Sequence, residues 1–310
     1  MHKKENPSVL IIVLNWMNYK DTIVCVSSLQ NLQYSNFKIC LIDNASINDS
    51  FLHLQQAFPD VILIKSRINN GYAGGNKIGV DYALKHEFDL IWILNNDCIV
   101  RPESLTELVA AYFRNGNALY SNLTLMSENP DIILYAGTYE IEAGGDMFDK
   151  LYGKPLGDYI DTLVEKPARI YGHSILIPID VIKKYGFMDT RYFLFLEEVD
   201  YYFSLYKKGV LSIFVPKAII THLKTATFKL SPDMKYVGCY YYTRNSILYD
   251  KKHRTGGTAD ILKKKGGFIN LIKFFLSRKP KSKDDYYTNL GILHGILGIK
   301  GKIIKPEKFL

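Results

Sequence analysis

The chain has 310 residues, of which 47% are hydrophobic and 23% are charged. This composition excludes an intrinsically disordered chain, and the length is enough for one large α/β domain with an appendage or for two small domains. The formal net charge of +8 is uneven, because residues 251–310 hold 15 of the 39 Lys and Arg residues but 4 of the 31 Asp and Glu residues.

The N-terminal region and the cysteines bear on the compartment. The first apolar run, residues 9–14, is too short for a signal-peptide core or a membrane span. The four cysteines include no CxxC pair, which argues against a disulfide framework or a structural zinc site. Both features favour a cytoplasmic protein.

Short apolar runs alternate with amphipathic stretches over the first hundred residues, which is typical of βαβ units around a mostly parallel sheet. Polar residues follow the predicted strands at Asn15, Asp43 and Asn95. Because ligands bind at the carboxyl ends of parallel strands, these positions predict the rim of a pocket. We predict strands at residues 9–14, 37–42, 61–66 and 90–94, and helices at 22–32 and 76–86.

The pattern weakens from about residue 115 to 165, where several glycines predict loops and a hairpin near the site. Charge and glycine then increase together at residues 251–257, where we place the start of a basic extension. Between these regions we predict a strand at 170–178, a helix at 198–208, a strand at 211–215 and an aromatic helix at 236–249.

Three polar residues, Asn95, Asn96 and Asp97, end the strand at residues 90–94. An aspartate at such a strand end can hold a divalent cation over a diphosphate, and Mg²⁺ and Mn²⁺ prefer oxygen ligands together with substrate phosphates. The alternative is that Asp97 caps a helix that opens near Pro102.

Three carboxylates, Glu197, Glu198 and Asp200, lie within four residues. Such a concentration of like charge predicts a group that binds a cation or transfers a proton. The alternative is a solvated helix start, because helix N-termini favour acidic residues.

Two histidines stand out. His222 ends another apolar segment, where an imidazole could complete the coordination of a metal, and His173 follows Gly172 in an expected pocket-facing turn. A structural histidine at the edge of a strand is the alternative for His222. We see no comparable setting for the other histidines, His253 among them.

Residues 69–76 (NNGYAGGN) supply a glycine-rich loop before a helix, which lets backbone N–H groups approach a nucleotide. The segment is neither GxGxxG nor a P-loop.

Together these motifs resemble the inverting glycosyltransferase family 2, and especially its rhamnosyltransferase-like branch, over about 240 residues. Asn15-Trp16 resembles the opening Asn-Trp-Asn of the family, residues 43–46 (DNAS) its nucleoside-binding motif, and residues 70–76 its glycine loop. Asn95-Asn96-Asp97 resembles its variant of the metal-binding DXD, and residues 197–200 (EEVD) resemble its Glu-Asp-x-Asp.

The resemblance implies a GT-A fold, an α/β Rossmann-like sheet with flanking helices, over residues 1–250. Its donor-binding half would be about 1–115 and its acceptor-side half about 116–250, with residues 251–310 as a basic helical extension. It also implies a metal, Mg²⁺ or Mn²⁺, on Asp97 and His222, with Glu198 as the catalytic base and Glu197 or Asp200 as alternatives. The implied donor-binding residues are Asn15, Asp43, Asn70, Gly71, Asn76, Asn95, Asn96 and Asp97, and the implied acceptor-side residues are Gly172, His173 and Arg244.

Three positions depart from the pattern of the family. Met17 and Lys77 stand where Asn is common, and Glu198 stands where Asp is common. The longer side chain of glutamate would place the acceptor oxygen farther back.

The expected activity is inverting transfer of a sugar from dTDP-rhamnose or a UDP-sugar to a glycan or polyprenyl-linked acceptor, in bacterial cell-surface polysaccharide synthesis. A catalytically inactive membrane-associated scaffold is one alternative. A sugar-phosphate nucleotidylyltransferase is another, although it would need a Gly-rich, Arg/Lys-containing loop after the first strand, where this chain has Asn15-Trp16-Met17-Asn18.

The basic extension mixes charged and apolar residues, as in residues 268–276 (FINLIKFFL). This mixture suits the anionic inner face of the cell membrane better than nucleic acid. The alternative is that residues 251–310 pack on the main domain or on a second copy of the chain.

Overall fold

The computed structural model describes residues 5–137, 151–223, 231–264, 266–277 and 282–310. The chain divides into two compact units. Unit 1 comprises Met1–Asn69, Gly74–Met188 and Tyr201–Thr225, and unit 2 comprises Asn70–Ala73, Asp189–Asp200 and Ala226–Leu310.

The strands found in the described residues all lie in unit 1 and form one mixed sheet. The strands are β1 (Val9–Asn15), β2 (Phe37–Asp43), β3 (Ile62–Lys65), β4 (Leu90–Asn95), β5 (Cys98–Val100), β6 (Leu119–Met126), β7 (Ile133–Tyr135), β8 (Lys166–Pro167), β9 (Ser174–Pro178) and β10 (Ser212–His222). Their order in the sheet is β3-β2-β1-β4-β9-β6-β10-β5, with β7 paired to β6 and β8 to β10.

Strand β1 forms the centre of the parallel half of the sheet. It pairs in parallel with β2 and with β4, so the carboxyl ends of these three strands lie at one edge. The helices that begin in unit 1 are α1 (Tyr19–Leu29), α2 (Ser50–Ala57), α4 (Ser104–Asn115) and α5 (Ile179–Tyr185), while α3 (Gly71–Lys85) and α6 (Glu197–Tyr206) begin in unit 2 and end in unit 1. The sheet with flanking helices confirms the predicted α/β class.

The expected irregular region at residues 115–165 contains strand β6, which is almost wholly buried. Its polar residues Ser121, Asn122 and Thr124 are each at most 1% exposed, and this polar composition resembles that of a loop. Gly144 and Gly145 lie outside the described residues.

The glycine-rich segment also differs from its prediction, because helix α3 begins at Gly71 and includes the expected loop. Glycine is needed here for close packing. A Cβ atom at Gly75 would lie 2.5 Å from Leu14 Cδ1, and one at Gly79 would lie 2.8 Å from Ile12 Cγ2. Helix α3 therefore packs directly against β1.

Unit 2 is mainly helical, with α7 (Met234–His253), α8 (Gly257–Lys264), α9 (Gly267–Ser277) and α10 (Lys283–Leu297). The predicted boundary after residue 250 falls inside the last turn of α7, which continues to His253. No helix in the described ranges is long and apolar enough to cross a membrane.

Candidate active site

Asn15 and Asp43 lie side by side at the carboxyl ends of β1 and β2, where they are partners in the parallel register. Asn15 Nδ2 donates to Asp43 Oδ2 over 2.8 Å, and the Ser46 amide donates to Asp43 Oδ1 over 3.0 Å. The Thr22 hydroxyl donates to Asn15 Oδ1 over 2.9 Å. Both side chains are fully buried, so this edge of the sheet holds a carboxylate in a fixed orientation.

Backbone strain marks the two loops around Asp43. Met17 and Ala45 have φ angles of 63° and 62°, and a non-glycine residue in this region costs about 1–3 kcal/mol. The Met17 amide donates to Ser46 Oγ over 2.8 Å, and the Asn48 side chain donates to the Met17 carbonyl over 3.1 Å. These bonds tie the loop after β1 to the loop after β2.

Asn76 is fully buried on α3 in unit 1, whereas Asn70 and Gly71 belong to unit 2. Gly71 has a φ of 70°, and a Cβ atom there would lie 1.9 Å from the Phe193 carbonyl oxygen. The Tyr72 amide donates to this same oxygen over 2.8 Å. Gly71 is therefore required for a close backbone approach within unit 2.

Asn95 is the last residue of β4, and Asn96 and Asp97 form the connection between β4 and β5. The Asn95 amide donates to the His173 carbonyl over 2.8 Å, and Asn96 Nδ2 donates to the Thr22 hydroxyl over 2.8 Å. Helix α4 begins at Ser104 with Glu103 as its N-cap, and β5 intervenes, so Asp97 does not cap this helix.

Asp97 and His222 meet across the antiparallel pair of β5 and β10, in which His222 is the register partner of Cys98. Asp97 Oδ1 lies 3.3 Å from His222 Nε2, and no hydrogen bond reaches this buried oxygen from any described residue. Ligand atoms of Asp97, Cys98 and His222 all lie within 4.8 Å of one another. The structure thus brings together the two predicted metal ligands.

The donor set fits a divalent cation. Burial raises the pKa of Asp97, and the neighbouring His222 partly opposes this rise. The carboxylate oxygen suits Mg²⁺ or Mn²⁺, and the imidazole nitrogen, a ligand for transition metals, favours Mn²⁺ of the two. Burial raises the pKa of the Cys98 thiol well above its ordinary value, as does the Asp97 charge, so this thiol is neutral and a poor ligand.

His173 lies behind His222 and not in an open turn. It is 6% exposed, its Nε2 is 2.6 Å from the Thr124 hydroxyl, and its ring packs edge-on against His222 at 5.2 Å. Burial, with a smaller contribution from His222, lowers its pKa well below the ordinary value, so the imidazole is neutral. Thr124 on β6 binds this ring, and the role of His173 on the acceptor side stays a prediction. Gly172, beside it, is half-buried.

The acidic cluster occupies the first turn of α6, as in the helix-start alternative, but Glu197 and Asp200 are buried and not solvated. The turn before it is strained, because Phe193, Phe195 and Leu196 have φ angles of 69°, 68° and 67°. Bulky residues in this region cost about 1–3 kcal/mol each.

The three carboxylates differ in their surroundings. Asp200 is 2% exposed and binds His253 Nε2 at 2.7 Å and Lys252 Nζ at 2.6 Å. Glu197 is also 2% exposed, and burial together with Glu198 raises its pKa well above the ordinary value. Its Oε2 has no hydrogen-bond partner among the described residues. Glu198, which is half-buried, is the most exposed of the three.

Sequence reasoning found no setting for His253, whose Nε2 in the structure lies 2.7 Å from Asp200 Oδ1. These two residues are 53 positions apart, and no local pattern indicates the pairing. Because both oxygens of Asp200 are occupied, one by His253 and one by Lys252, Asp200 is a poor candidate for the base.

Arg244 is fully buried in unit 2. Its guanidinium donates to the carbonyls of Tyr192 and Gly301, each over 2.6 Å, and to Asn245 Oδ1 over 2.9 Å. Burial lowers its pKa from the ordinary value. Three of its five N–H groups thus donate to the chain itself, and the role of Arg244 on the acceptor side stays a prediction.

The amphipathic run at residues 268–276 is only partly visible, since the side chains of residues 268, 272, 275 and 276 lie outside the described residues. Of the others, Ile269 is 68% exposed and Leu271 is 3% exposed. These two side chains do not test the predicted contact with a membrane surface, which stays a prediction.

Three comparisons with known proteins bear on the fold and the family. Residues 8–139 match the family described as Glycosyl transferase family 2. The low-salt glycan biosynthesis hexosyltransferase Agl10 of Haloferax volcanii is 20% identical over 201 residues, which cover 64% of this chain and 62% of the relative.

Among solved structures, the crystal structure of GalNAc-T7 with UDP, GalNAc and Mn²⁺ aligns with a TM-score of 0.56 and 17% identity, covering 71% of this chain and 44% of that protein. The chain thus spans less than two thirds of each of these two proteins. The rhamnosyltransferase-like branch stays a prediction. The chain has the GT-A fold, and the segment of unit 1 that carries Asn15, Asp43 and Asp97 matches glycosyl transferase family 2.

Proposed function

We propose that this protein is an inverting glycosyltransferase that moves a sugar from a nucleoside diphosphate donor to an acceptor hydroxyl. The observation that carries the proposal is the 3.3 Å pair of Asp97 Oδ1 and His222 Nε2 at the sheet edge where β4 ends. This edge also carries the buried carboxylate of Asp43, within the segment that matches family 2.

Asp97 and His222 would hold Mg²⁺ or Mn²⁺, which supplies positive charge that stabilises a diphosphate leaving group. Asp43 would accept hydrogen bonds from the base of the nucleotide, in the orientation fixed by Asn15 and Ser46. Asn96 holds the connection before Asp97 through its bond to Thr22.

Glu198 is the proposed base. Of the three carboxylates, Asp200 is bound by Lys252 and His253, and the raised pKa of Glu197 keeps that carboxyl protonated. Glu198 would take the proton of the acceptor hydroxyl as its oxygen attacks the anomeric carbon, while the bond to the diphosphate breaks. A single displacement of this kind inverts the anomeric centre, and general-base assistance contributes roughly 10²–10⁴ in rate.

The donor and acceptor are narrower proposals. The UDP of the solved neighbour and the hexosyltransferase name of the archaeal relative favour a UDP-hexose as the first donor to test, with dTDP-rhamnose as the alternative. We propose a glycan or polyprenyl-linked acceptor in cell-surface polysaccharide synthesis. Attachment of the basic extension to the inner face of the membrane would bring the protein to such an acceptor.

A thermal-shift panel of nucleotide sugars with Mn²⁺ tests donor binding. A donor at 100 times its Kd should stabilise the protein by about 2.7 kcal/mol. The matched control is Asp97→Asn, which keeps the shape of the side chain but removes its charge and should lose the metal-dependent part of the shift. If no donor stabilises the wild-type protein, or if the variant responds equally, the proposal is wrong.

A further inference from the structure

We propose that Arg244 and Asn245 on α7 are positioning residues that hold the strained turn at residues 192–196 and thereby orient Glu197 and Glu198. The inference rests on the proposed function, because it assigns these carboxylates a role in catalysis. The acidic cluster follows this turn directly, so the path of the turn sets where α6 begins.

The side chain of Asn245 contacts the turn at three carbonyls. Asn245 Nδ2 lies 3.1 Å from the Tyr192 carbonyl, 2.7 Å from the Leu194 carbonyl and 2.9 Å from the Phe195 carbonyl. The two N–H groups of one amide are thus shared among three acceptors of a segment whose positive φ angles prevent regular hydrogen bonding. Asn245 is fully buried, so these bonds are shielded from bulk water.

Arg244 fixes the orientation of that amide. Its Nε donates to Asn245 Oδ1 over 2.9 Å, which directs Nδ2 toward the turn, and its Nη2 donates to the Tyr192 carbonyl over 2.6 Å. Its Nη1 donates to the Gly301 carbonyl, and the Gly301 amide in turn donates to the Arg191 carbonyl over 2.7 Å. The segment after α10 therefore closes the same network.

Helix α10 supports Arg244 from the other side. A Cβ atom at Gly291 would lie 3.2 Å from the Arg244 amide nitrogen, and one at Gly295 would lie 3.0 Å from its carbonyl oxygen. The ring of Tyr241 lies 4.7 Å from the guanidinium carbon, and its hydroxyl donates to the Ile304 carbonyl over 2.7 Å. Part of the basic extension thus packs around Arg244, which binds the strained turn.

The test compares Asn245→Ala with Ser246→Ala, a neighbouring residue on α7 whose hydroxyl donates to the Tyr242 carbonyl of the same helix. The first readout is hydrogen exchange of the peptide spanning residues 189–200, which includes the Leu194 amide bonded to the Tyr192 carbonyl. We expect faster exchange in Asn245→Ala only. Unchanged exchange would overturn the proposal, whatever the activity.

The second readout is donor turnover with Mn²⁺ and the nucleotide sugar that stabilises the wild-type protein. We expect kcat to fall roughly 100-fold in Asn245→Ala, the size of effect that a catalytic group displaced by 1 Å can produce. The KM for the donor and the donor-induced thermal shift should change less than kcat, since Asp43 and Asp97, which are proposed to bind the donor, lie in unit 1, and of the implied donor-binding residues Asn70 and Gly71 belong to unit 2. Faster exchange with unchanged kcat, or equal effects on kcat and KM, would overturn the proposal.

Arg244→Lys is the second variant in case Asn245→Ala does not fold. Lysine keeps the charge but cannot donate to Tyr192, Gly301 and Asn245 in the planar geometry of the guanidinium. It should reproduce the same pattern of faster exchange and lower kcat, and wild-type exchange in this variant would contradict the proposal. A wild-type protein that turns over no donor would refute the proposed function, while the exchange data would still decide whether the turn is held as we describe.

Discussion

Replacing Gly71 with alanine should destabilise the protein by more than its positive φ angle alone explains. A left-handed conformation costs a residue with a Cβ atom about 1–2 kcal/mol. The new methyl group would lie 1.9 Å from the Phe193 carbonyl oxygen and 2.6 Å from its carbonyl carbon. Both distances are shorter than a van der Waals contact, so the backbone at residue 71 or at Phe193 must move apart. Such overpacking costs about 1–3 kcal/mol.

The movement would also break the bond from the Tyr72 amide to the Phe193 carbonyl, a net loss of about 1 kcal/mol. We therefore expect Gly71→Ala to lower the free energy of unfolding by about 3–6 kcal/mol in urea denaturation, given these three contributions.

The matched control is Gly298→Ala at the end of α10. Gly298 has a φ of 74°, but a Cβ atom there meets nothing within 4 Å. This variant should lose about 1–2 kcal/mol, because it has the conformational cost alone. If the two variants unfold with the same free energy, the close approach of Gly71 to Phe193 is not what requires glycine.

Three further outcomes are expected. Glu197→Gln should stabilise the protein increasingly as pH rises above 4.5. The raised pKa of Glu197 keeps this carboxyl protonated in the folded protein, whereas it ionises in the unfolded chain. A series of thermal melts that shows no gain of about 1 kcal/mol in the free energy of unfolding by pH 7 would contradict this. Burial would raise the pKa of Asp250, but hydrogen bonds from Thr258 and Thr255 lower it to about 2. Asp250→Asn should therefore cost about 1 kcal/mol of unfolding free energy at neutral pH. This difference in unfolding free energy between variant and wild type should shrink as pH falls from 3.8 toward 2. The wild-type protein should float with anionic liposomes at low salt and detach at high salt, and failure to float at low salt would remove the membrane proposal.

The parallel half of the sheet could be predicted because strands buried on both faces appear as continuous apolar runs, such as Val9–Asn15. The polar residues at their carboxyl ends then had to lie together. The pairing of Asp97 with His222 followed from placing each at a strand end, which the register of β5 and β10 brings into contact.

Strand β6 could not be predicted, because its polar residues are satisfied by partners far along the chain. Asn122 Oδ1 accepts from the Ser174 hydroxyl over 2.5 Å, and Thr124 binds His173. The glycines of α3 suggested a loop because their function, close approach to β1, depends on a strand some 60 residues earlier.

The roles within the acidic cluster were equally inaccessible, since spacing alone makes Glu197, Glu198 and Asp200 equivalent. Burial separates Glu197, and His253 with Lys252 separates Asp200. Arg244 was expected at a ligand because a lone arginine in a sequence carries no sign of the backbone carbonyls that bind it in the fold.

Release of nucleoside diphosphate from a nucleotide sugar is the most direct test of the proposed activity. Wild-type protein with Mn²⁺ should release it from a UDP-hexose or dTDP-rhamnose, and Asp97→Asn should slow the release roughly 100-fold, because the metal-binding carboxylate is lost. No release from any donor by the folded wild-type protein, or equal release by the variant, would contradict the account.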